Sequence, residues 1–418
     1  MKMDIKSKLP VAALAFMGIA SVATAANCSH NSGERCSKCE TLPAANCYKE
    51  ECECYYCLGP DLVNPSVNPR TCEGDIAVTV AGFYWNSHQC GLEYAVQNAV
   101  HIPKGASSCS ELQELNTLID AKYLNPKFDW DFGFKFGLAY AGCHDGWDLG
   151  VTWTWYKGHA STHVETESDD NQVLIPLWTG FAPSIGNTTY ATDIQTEWKL
   201  KLNLVDIELG REFWTSRYLT MRPHVGIRIA SIKQDYDLQH KGGSWSARTG
   251  TNINQDAYNN LVELDNDFHG AGVRAGLDTI WNLGCGFGVY GNLALSIIYG
   301  RFTIEHDETN RLAHGGHTKM KYIDTKNSFR ASRAMADLAL GFQWSTMFCD
   351  CCYAFTAMLG WEHHLFFDQN QLWRVVRIGD TQQDVTPSCG NNTGENVFYE
   401  RRGDLDTQGW TLTFKFEF

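Results

Sequence analysis

The sequence predicts an all-β protein: a transmembrane antiparallel β-barrel of about 12 to 16 strands, preceded by a cysteine-rich N-terminal segment. Three observations lead to this prediction. The chain begins with a leader for export, most of it alternates apolar with polar residues, and its last residues form an aromatic strand. Successive side chains of a strand point to opposite faces, so such alternation suits a wall between lipid and water.

The first residues are typical of an export leader. Several lysines precede an uncharged run, Val11–Ala20, and Ala23–Ala25 has the small-residue pattern of a cleavage site. The apolar run is shorter than a helix that spans a bilayer. We therefore expect residues 1–25 to be a cleaved signal peptide and the mature protein to reach the cell outer membrane.

Composition argues against several classes of protein. The formal net charge of −14 argues against a nucleic-acid partner, because phosphate binding requires a basic surface. A negative mean hydropathy excludes a helical membrane protein but not a barrel, whose strands alternate. The sequence contains no evident serine-hydrolase, zinc-protease or phosphate-loop motif. We therefore predict no enzyme activity, no catalytic residue, no metal and no cofactor.

Sixteen cysteines are many for an exported chain, and an oxidising compartment favours disulfides. Residues 26–73 contain eight of them and form a separate cysteine-rich segment. Within it, Cys36, Cys39, Cys54 and Cys57 have zinc-ribbon spacing, which remains the alternative to disulfides. The pairing stays open, and the disulfide candidates are Cys28, Cys36, Cys39, Cys47, Cys52, Cys54, Cys57, Cys72, Cys349, Cys351, Cys352 and Cys389.

The clearest strand lies between Asp129 and Tyr140. Its aromatic and aliphatic side chains fall on one face, whereas Asp129, Asp131 and Lys135 fall on the other. An aqueous protein core could not hold these charges opposite a continuous apolar face, so one face has to meet lipid and the other water. The next segment, Trp147–Tyr156, repeats the pattern.

Similar runs recur to the end of the chain, and we assign residues 74–418 to the barrel. Tight turns at Ser216-Arg217 and Asn282–Gly284 alternate with long polar segments, as in outer-membrane barrels. The further candidate strands are Asp75–Trp85, Leu92–Val100, Thr192–Leu204, Val205–Trp214, Leu219–Ile229, Val273–Trp281, Phe287–Phe302, Ala334–Trp344, Tyr353–Phe366 and Gly409–Phe418. The expected long loops are 159–191, 236–265, 305–329 and 367–407.

One stretch permits a second interpretation. Ile280–Gly300 carries no charge and is long enough for a transmembrane helix. It also contains five glycines, and each disfavours a helix by roughly 1 kcal/mol. Their spacing favours a pair of strands instead.

The apolar alternation continues to the last residue. Trp410, Phe414, Phe416 and Phe418 share one face, and polar residues occupy the other. In a soluble protein such an exposed edge strand would template aggregation, whereas a barrel uses its final strand to close. We expect this aromatic face to be the assembly signal.

Charged residues on the polar faces are candidates for the lining of a water-filled pore, because rings of charge set ion preference. In Thr192–Leu204 this assigns the apolar residues from Trp198 onward to lipid and the charged residues to the lumen. We interpret His363 and His364 as ordinary polar residues rather than metal ligands. The pore-lining candidates are Asp129, Asp131, Lys135, Glu197, Lys199, Lys201, Arg222, Arg228, Arg274, Asp278, Lys415 and Glu417.

Six segments share residues with a known family: Phe83–Trp85, Gly91–Ala95, Phe128–Phe134, His144–Leu149, Leu209–Phe213 and Arg222–Gly226. They resemble the major outer membrane proteins of chlamydiae and chlamydia-like bacteria and, more loosely, that of Legionella. The resemblance covers most of residues 74–418 and less of the cysteine-rich segment. It implies an abundant porin that disulfides cross-link in the envelope, and it implies no catalytic residue.

We therefore predict a porin for passive diffusion of ions and small hydrophilic solutes that is also a disulfide-linked structural component of the envelope. The alternative is a non-conducting structural or adhesive outer-membrane protein. The expected partners are membrane lipids, lipopolysaccharide, the barrel-assembly machinery, further copies of the chain and disulfide-linked envelope proteins.

Overall fold

The structure is a computed structural model that describes residues 64–70, 75–98, 121–142, 146–166, 172–180, 190–243, 246–249, 252–312, 319–348, 353–378 and 395–418. The predicted signal peptide, most of the cysteine-rich segment and all twelve disulfide candidates lie outside these ranges. Seventeen strands and no helix lie within them. Accordingly, none of the described segments is an apolar helix of membrane-spanning length.

The strands are numbered in chain order. They are β1 (Asp75–Gln89), β2 (Ala95–Asn98), β3 (Lys122–Leu124), β4 (Trp130–Ala141), β5 (Trp147–Glu165), β6 (Val173–Pro176), β7 (Asp193–Arg211), β8 (Phe213–Trp214), β9 (Leu219–Lys241), β10 (Ser246–Thr249), β11 (Asn252–Gly284), β12 (Phe287–Leu312), β13 (Lys319–Phe348), β14 (Tyr353–Asn370), β15 (Trp373–Ile378), β16 (Glu395–Glu400) and β17 (Gly403–Glu417).

Ten of the described strands close into an antiparallel ring. The order is β1, β4, β5, β7, β9, β11, β12, β13, β14 and β17, and β17 returns to β1. A closed ring pairs the backbone groups of every strand on both sides, as a bilayer requires. The predicted transmembrane antiparallel β-barrel is confirmed. Among the described residues this sheet has twelve strands, because the short β8 and β10 add to the ten of the ring. The candidates Thr192–Leu204 and Val205–Trp214 both lie largely in one strand, β7.

The uncharged stretch Ile280–Gly300 forms a hairpin between β11 and β12. Gly284, Cys285 and Gly286 make its turn, and all three have positive φ angles. A Cβ atom on Gly286 would lie 2.1 Å from the backbone oxygen of Ser345, so only glycine fits there without a shift. The glycines therefore make a tight turn, and the strand interpretation of this stretch is confirmed.

Large apolar side chains are exposed in a band around the outside of the ring. Phe132 is 76% exposed, Phe342 70% and Val273 67%. In water such a continuous apolar surface would be unfavourable, whereas hydrocarbon accommodates it. The band marks the level at which the barrel spans the membrane.

Beyond this band, on the side of the long loops, the apolar residues point into the barrel. In β7, Leu209 is exposed on the outside, whereas Trp198, Leu200 and Leu202 are fully buried inside. This part of the wall has water on its outer face, so its apolar side chains are stabilised only on the inner one. The assignment of the apolar face of Thr192–Leu204 to lipid was wrong for this reason.

Several strands are far longer than the membrane requires. A strand needs about 9–11 residues to cross the bilayer, but β9 has 23 residues, β11 has 33, β12 has 26 and β13 has 30. The barrel wall therefore continues above the membrane on this side, and we call this part the extension. The prediction of loops at 236–265 and 305–329 was wrong over most of their length, because these four strands run through them.

Segments between the strands fill the inside of the extension. Strands β2, β3 and β6 form a small separate sheet, and β15 and β16 form a hairpin. Leu92, Leu174 and Trp178 belong to the buried apolar cluster. The hydroxyl of Tyr236 in β9 donates to the backbone oxygen of Leu92 at 2.9 Å. These contacts fix the inserted segments against the barrel wall.

Strand β17 closes the ring between β14 and β1. Trp410 lies opposite Trp361 on one side and opposite Tyr84 on the other. The N–H of Phe418 donates to the oxygen of Ile76 at 3.0 Å, and the N–H of Ile76 donates to the oxygen of Phe418 at 2.8 Å. The last strand thus pairs with the edges of both β14 and β1.

Deleting Trp410–Phe418 should prevent assembly, because it leaves the edges of β14 and β1 unpaired and removes an aromatic outer face. We expect the truncated chain to be degraded in the periplasm, whereas Thr413→Ser, which preserves the strand, should insert normally. Abundance in outer-membrane fractions and heat-modifiable migration in SDS electrophoresis measure the outcome. Normal insertion of the truncated chain would rule out this role.

Candidate functional site in the barrel lumen

A network of ion pairs crosses the lumen at the level of the membrane, with Asp337 of β13 at its centre. Arg228 of β9 lies 2.7 Å from Asp337 and 2.6 Å from Asp206. Arg274 of β11 also contacts Asp337. On the other side, Nδ1 of His364 in β14 lies 2.7 Å from the same carboxylate. One carboxylate therefore joins side chains from three other strands.

The network reaches a further wall of the barrel through Lys135 of β4. Its ammonium donates to Glu362 of β14 at 2.6 Å and lies 5.2 Å from the centre of the Trp85 ring. Glu362 is also 3.4 Å from Nε2 of His364. Because β17 and β1 separate β14 from β4 in the ring, this contact crosses the lumen rather than joining neighbouring strands.

A second group of ion pairs lies nearer the tight turns. Arg222 donates to Asp148 through Nε at 3.0 Å and through Nη2 at 2.5 Å, and to Asp278 through Nη1 at 2.9 Å. Arg274 donates through Nε to Glu208 at 2.7 Å. Such charge-assisted, bidentate hydrogen bonds are strong and fix the orientation of both groups.

The charges around Asp337 are buried rather than dispersed along a column of water. The side chain of Arg228 is 2% exposed and that of Asp337 is 9% exposed. Removing charges from water is costly, and only close pairing with further hydrogen bonds compensates for it. Within the described part of the chain, the paired side chains occupy the lumen at this level.

A cavity of about 240 Å³ lies between the network and the tight turns. Segment 64–70 forms part of its edge, because Ser66 pairs with Phe213 and the N–H of Val67 donates to the oxygen of Glu212 at 3.0 Å. Six carboxylates and three basic side chains line it. These charged residues are Arg70, Asp75, Asp148, Glu208, Glu212, Arg222, Asp278, Lys415 and Glu417.

Toward the long loops, a buried apolar cluster lies above the network. Trp85, Tyr156, Phe268 and Phe302 are fully buried there. The polar atoms of the aromatic residues are also paired, since the hydroxyl of Tyr156 donates to the oxygen of Trp85 at 3.1 Å. Side chains therefore occupy the inside of the barrel from the ion-pair network up to the inserted segments.

Seven of the twelve pore-lining candidates lie in the lumen. Five of them form ion pairs in the network or in the second group. The other two, Lys415 and Glu417, pair with each other in the wall of the cavity, which Arg222 and Asp278 also line. The seven residues are Lys135, Arg222, Arg228, Arg274, Asp278, Lys415 and Glu417.

Glu197, Lys199 and Lys201 lie on the outer face of β7 instead. Their side chains are about half exposed, and Lys201 pairs there with Asp235 of β9 at 2.9 Å. Their placement in the lumen was wrong, because this part of β7 belongs to the extension, where the apolar residues take the inner face.

Asp129 and Asp131 lie at the end of β4 near the extension. The two carboxylates lie 3.4 Å and 2.7 Å from the ring of His159, whose side chain is half exposed. The backbone N–H of His159 also donates to Asp131 at 2.9 Å. The contacts of these two residues are therefore with β5 and not with the ion-pair network.

Sequence analysis missed most of the partners that complete the network. Alternation places each of them on a polar face, but their pairing depends on which strands meet across the ring. The adjacent His363 and His364 separate, as alternation requires: His363 lies 2.9 Å from Asp406, and His364 bridges two carboxylates of the network. The missed residues are Asp148, Asp206, Glu208, Asp337, Glu362 and His364.

A second buried polar group lies inside the extension, above the membrane. Glu308 of β12 is fully buried and accepts hydrogen bonds from Nδ2 of Asn260 at 2.6 Å, from the N–H of Gly180 at 3.0 Å and from the hydroxyl of Thr179. Burial raises the pKa of Glu308 to about 7. Thr179 and Gly180 follow β6, so Glu308 holds this inserted segment in place.

Replacing Asp337 by Asn should destabilise the folded barrel by about 3–5 kcal/mol, because Arg228 and Arg274 would stay buried with one carboxylate fewer. The exposed control Glu197→Gln should change the free energy of unfolding by less than about 0.5 kcal/mol. Urea unfolding in lipid vesicles, followed by tryptophan fluorescence, compares the two. Equal stabilities of the two variants would contradict the central place of Asp337.

The segment held by Glu308 should open more readily as the pH rises from about 4.5 to 7. In the closed state Glu308 keeps its proton up to a pKa of about 7, whereas its ordinary pKa is 4.5, so this stability is fully present below pH 4.5 and is lost by the time the pH has risen through 7. Buried His240 and His306 have pKa values lowered to about 4 and act in the opposite direction below pH 6.5, so the contribution of Glu308 is measured as the difference from a variant that lacks its carboxylate.

Hydrogen exchange of residues 172–180, corrected for the intrinsic effect of pH, measures this opening. Glu308→Gln should remove the loss of protection that Glu308 causes between pH 4.5 and 7, whereas Glu305→Gln on the outer face should preserve it. An unchanged dependence in Glu308→Gln would show that another group is responsible.

The chain is similar to known outer membrane proteins. Residues 73–418 match the family profile of the Legionella pneumophila major outer membrane protein precursor. No curated protein matches the chain significantly. Among solved structures, the outer membrane protease OmpT from Escherichia coli shares 8% identity over 82% of this chain and 96% of its own, with a TM-score of 0.34.

Two channel structures are also similar to parts of this chain. A Pseudomonas aeruginosa FadL homologue shares 8% identity over 83% of this chain and 90% of its own, with a TM-score of 0.22. A mutant of the TodX monoaromatic hydrocarbon channel shares 11% identity over 88% and 96%, also with a TM-score of 0.22. At these scores we draw no functional conclusion from any of the three. The family match covers most of the chain, and the chain belongs to the family of the Legionella pneumophila major outer membrane protein, whose members are proteins of the outer membrane.

Proposed function

We propose that this protein is a structural barrel of the outer membrane whose lumen is closed, rather than an open general-diffusion porin. The observation that carries the proposal is the ion-pair network around Asp337. Arg228 and Arg274 reach that carboxylate from β9 and β11, and His364 reaches it from β14. A water-filled pore would leave these side chains hydrated, whereas they are only 2–11% exposed.

The size of the ring supports the same function. Barrels of eight strands are just wide enough for side chains to fill, and aqueous porin channels have 16 to 18 strands. A ring of ten strands is closer to the first case. The apolar cluster inside the extension, with Trp198 and Phe302 fully buried, adds a second barrier above the charged one. Ions would have to cross both.

A porin remains the second candidate function. Two observations favour it: the polar cavity on the side of the tight turns, and the porin function that the resemblance to chlamydial proteins implies. In that case, the network and the inserted segments would have to rearrange for ions to pass. The non-conducting function requires no such change.

Conductance separates the two candidates. We expect the purified, folded chain to give no discrete current steps in planar bilayers in molar potassium chloride, while a general porin reconstituted in parallel does. Circular dichroism and heat-modifiable migration confirm that the sample is folded. Reproducible steps that change in size on Lys135→Ala, and not on the outer-face variant Lys201→Ala, would establish the pore and overturn the closed barrel.

We further propose that cysteines link the barrel to other copies of itself or to other envelope proteins. Among the described residues, Cys285 is exposed at the turn between β11 and β12, on the side of the tight turns. That end also receives residues 64–70 of the cysteine-rich segment. This described part of the segment and Cys285 therefore lie on the same side of the membrane.

Native envelopes should contain disulfide-linked oligomers of the chain. Alkylation of intact cells followed by non-reducing electrophoresis should show high-mass bands that reductant converts to monomer. The Cys285→Ser variant should weaken this ladder, whereas Cys90→Ser at the opposite end should preserve it. A single monomer band before reduction would show that all disulfides are internal.

A further inference from the structure

Glu212 is a buried carboxylate in the wall of the cavity. It follows β7 directly and is 7% exposed. Its neighbours in the wall have partners: Asp148 pairs with Arg222, and Glu417 pairs with Arg70 and Lys415. Among the described residues, none forms an ion pair or hydrogen bond with the carboxylate of Glu212. A buried charge without a partner is unfavourable, so a positively charged ligand would be stabilised at Glu212.

The position of Glu212 is fixed by the backbone around it. Its carbonyl oxygen accepts from the N–H of Val67 at 3.0 Å, and the N–H of Trp214 donates to the oxygen of Pro65 at 2.9 Å. Segment 64–70 thus pairs with the backbone of Glu212 and of the two residues that follow it. A side chain held in this way stays at the cavity wall, where a ligand can reach it.

A second lining group is also without a partner. Thr356 of β14 is 5% exposed, and its hydroxyl has no hydrogen-bond partner among the described residues. Further hydroxyls and amides complete the polar part of the wall, and Met358 and Ile280 add apolar surface. The polar lining residues are Thr79, Thr152, Thr220, Asn292 and Gln343.

The distribution of these groups favours an organic cation over a metal ion. In the described ranges, no three His, Cys, Asp or Glu residues converge closely enough to hold a metal. The carboxylates are spread around the wall instead, with apolar side chains such as Met358 between them. An aliphatic chain with ammonium groups matches both features, because its nitrogens meet carboxylates and its methylenes meet apolar surface.

We propose that this cavity binds a small aliphatic ammonium compound, with Glu212 as the counter-charge to its nitrogen. The net acidic wall, with six carboxylates to three bases, favours a second positive group on the same ligand. The cavity lies on the side of the tight turns, which faces the periplasm in outer-membrane barrels. Binding there does not depend on whether the lumen conducts.

Isothermal titration calorimetry of the full-length folded protein in detergent tests the proposal, with 1,4-diaminobutane as the probe at constant ionic strength. We expect saturable binding to the wild type, at least ten-fold weaker binding to Glu212→Gln, and a smaller loss for Thr356→Val. The matched control Glu197→Gln removes one carboxylate from the outer face and should bind as the wild type does. Circular dichroism and heat-modifiable migration verify folding of each variant.

Three outcomes would overturn the proposal. One is no saturable binding to the folded wild type at millimolar diamine. Another is equal affinity of Glu212→Gln and the wild type, which would place the diamine elsewhere. The third is a Glu212-dependent site for magnesium ions that diamine does not compete for, which would make the ligand inorganic.

Discussion

The fold depends on one constraint: the face on which a strand can bury apolar side chains reverses where the barrel leaves the membrane. Inside the bilayer, apolar residues such as Leu209 are exposed on the outer face, where hydrocarbon surrounds them. Above it the outer face meets water, so residues such as Trp198 and Leu200 pack inside. Strand β7 satisfies both conditions by changing the phase of its alternation between Leu204 and Val205, with no break in its pairing to β5.

The closed interior follows from this reversal. An extension with an apolar inner face is stable only if that face is covered, so the segments around Leu92, Leu174 and Trp178 fold into it. At membrane level the outer face is already apolar, and the inner face carries the polar residues. Ten strands leave too little width for these side chains to remain apart, and they pair across the lumen. Asp337 therefore lies in the polar interior at membrane level, and the apolar cluster lies in the extension.

The sequence was sufficient to predict the barrel but not its height or the contents of its lumen. Strict alternation in Asp129–Tyr140 and Trp410–Phe418 correctly predicted strands, since period two depends only on the local backbone. The same alternation in Thr192–Leu204 gave the wrong face, because period two does not reveal whether lipid or water surrounds the strand. Val205–Trp214 was counted as a separate strand because the apolar alternation changes phase at Val205, where β7 passes between water and lipid. The partners of Asp337 lie more than twenty residues away in sequence, so only the closed ring brings them together.

The charged lumen also has a physical reason that is independent of conduction. The sequence of a strand that was apolar on both faces would be a continuous hydrophobic segment. Such a segment is similar in sequence to a transmembrane helix. Ile280–Gly300 comes close to this limit, and glycines and the turn at Cys285 keep it from forming a helix. Elsewhere, charges such as Arg222, Arg228 and Arg274 interrupt the apolar pattern. Once the ring closes, each of these arginines finds a carboxylate within 3 Å. The arginines that interrupt the apolar pattern of the sequence therefore also occupy the lumen of the folded barrel.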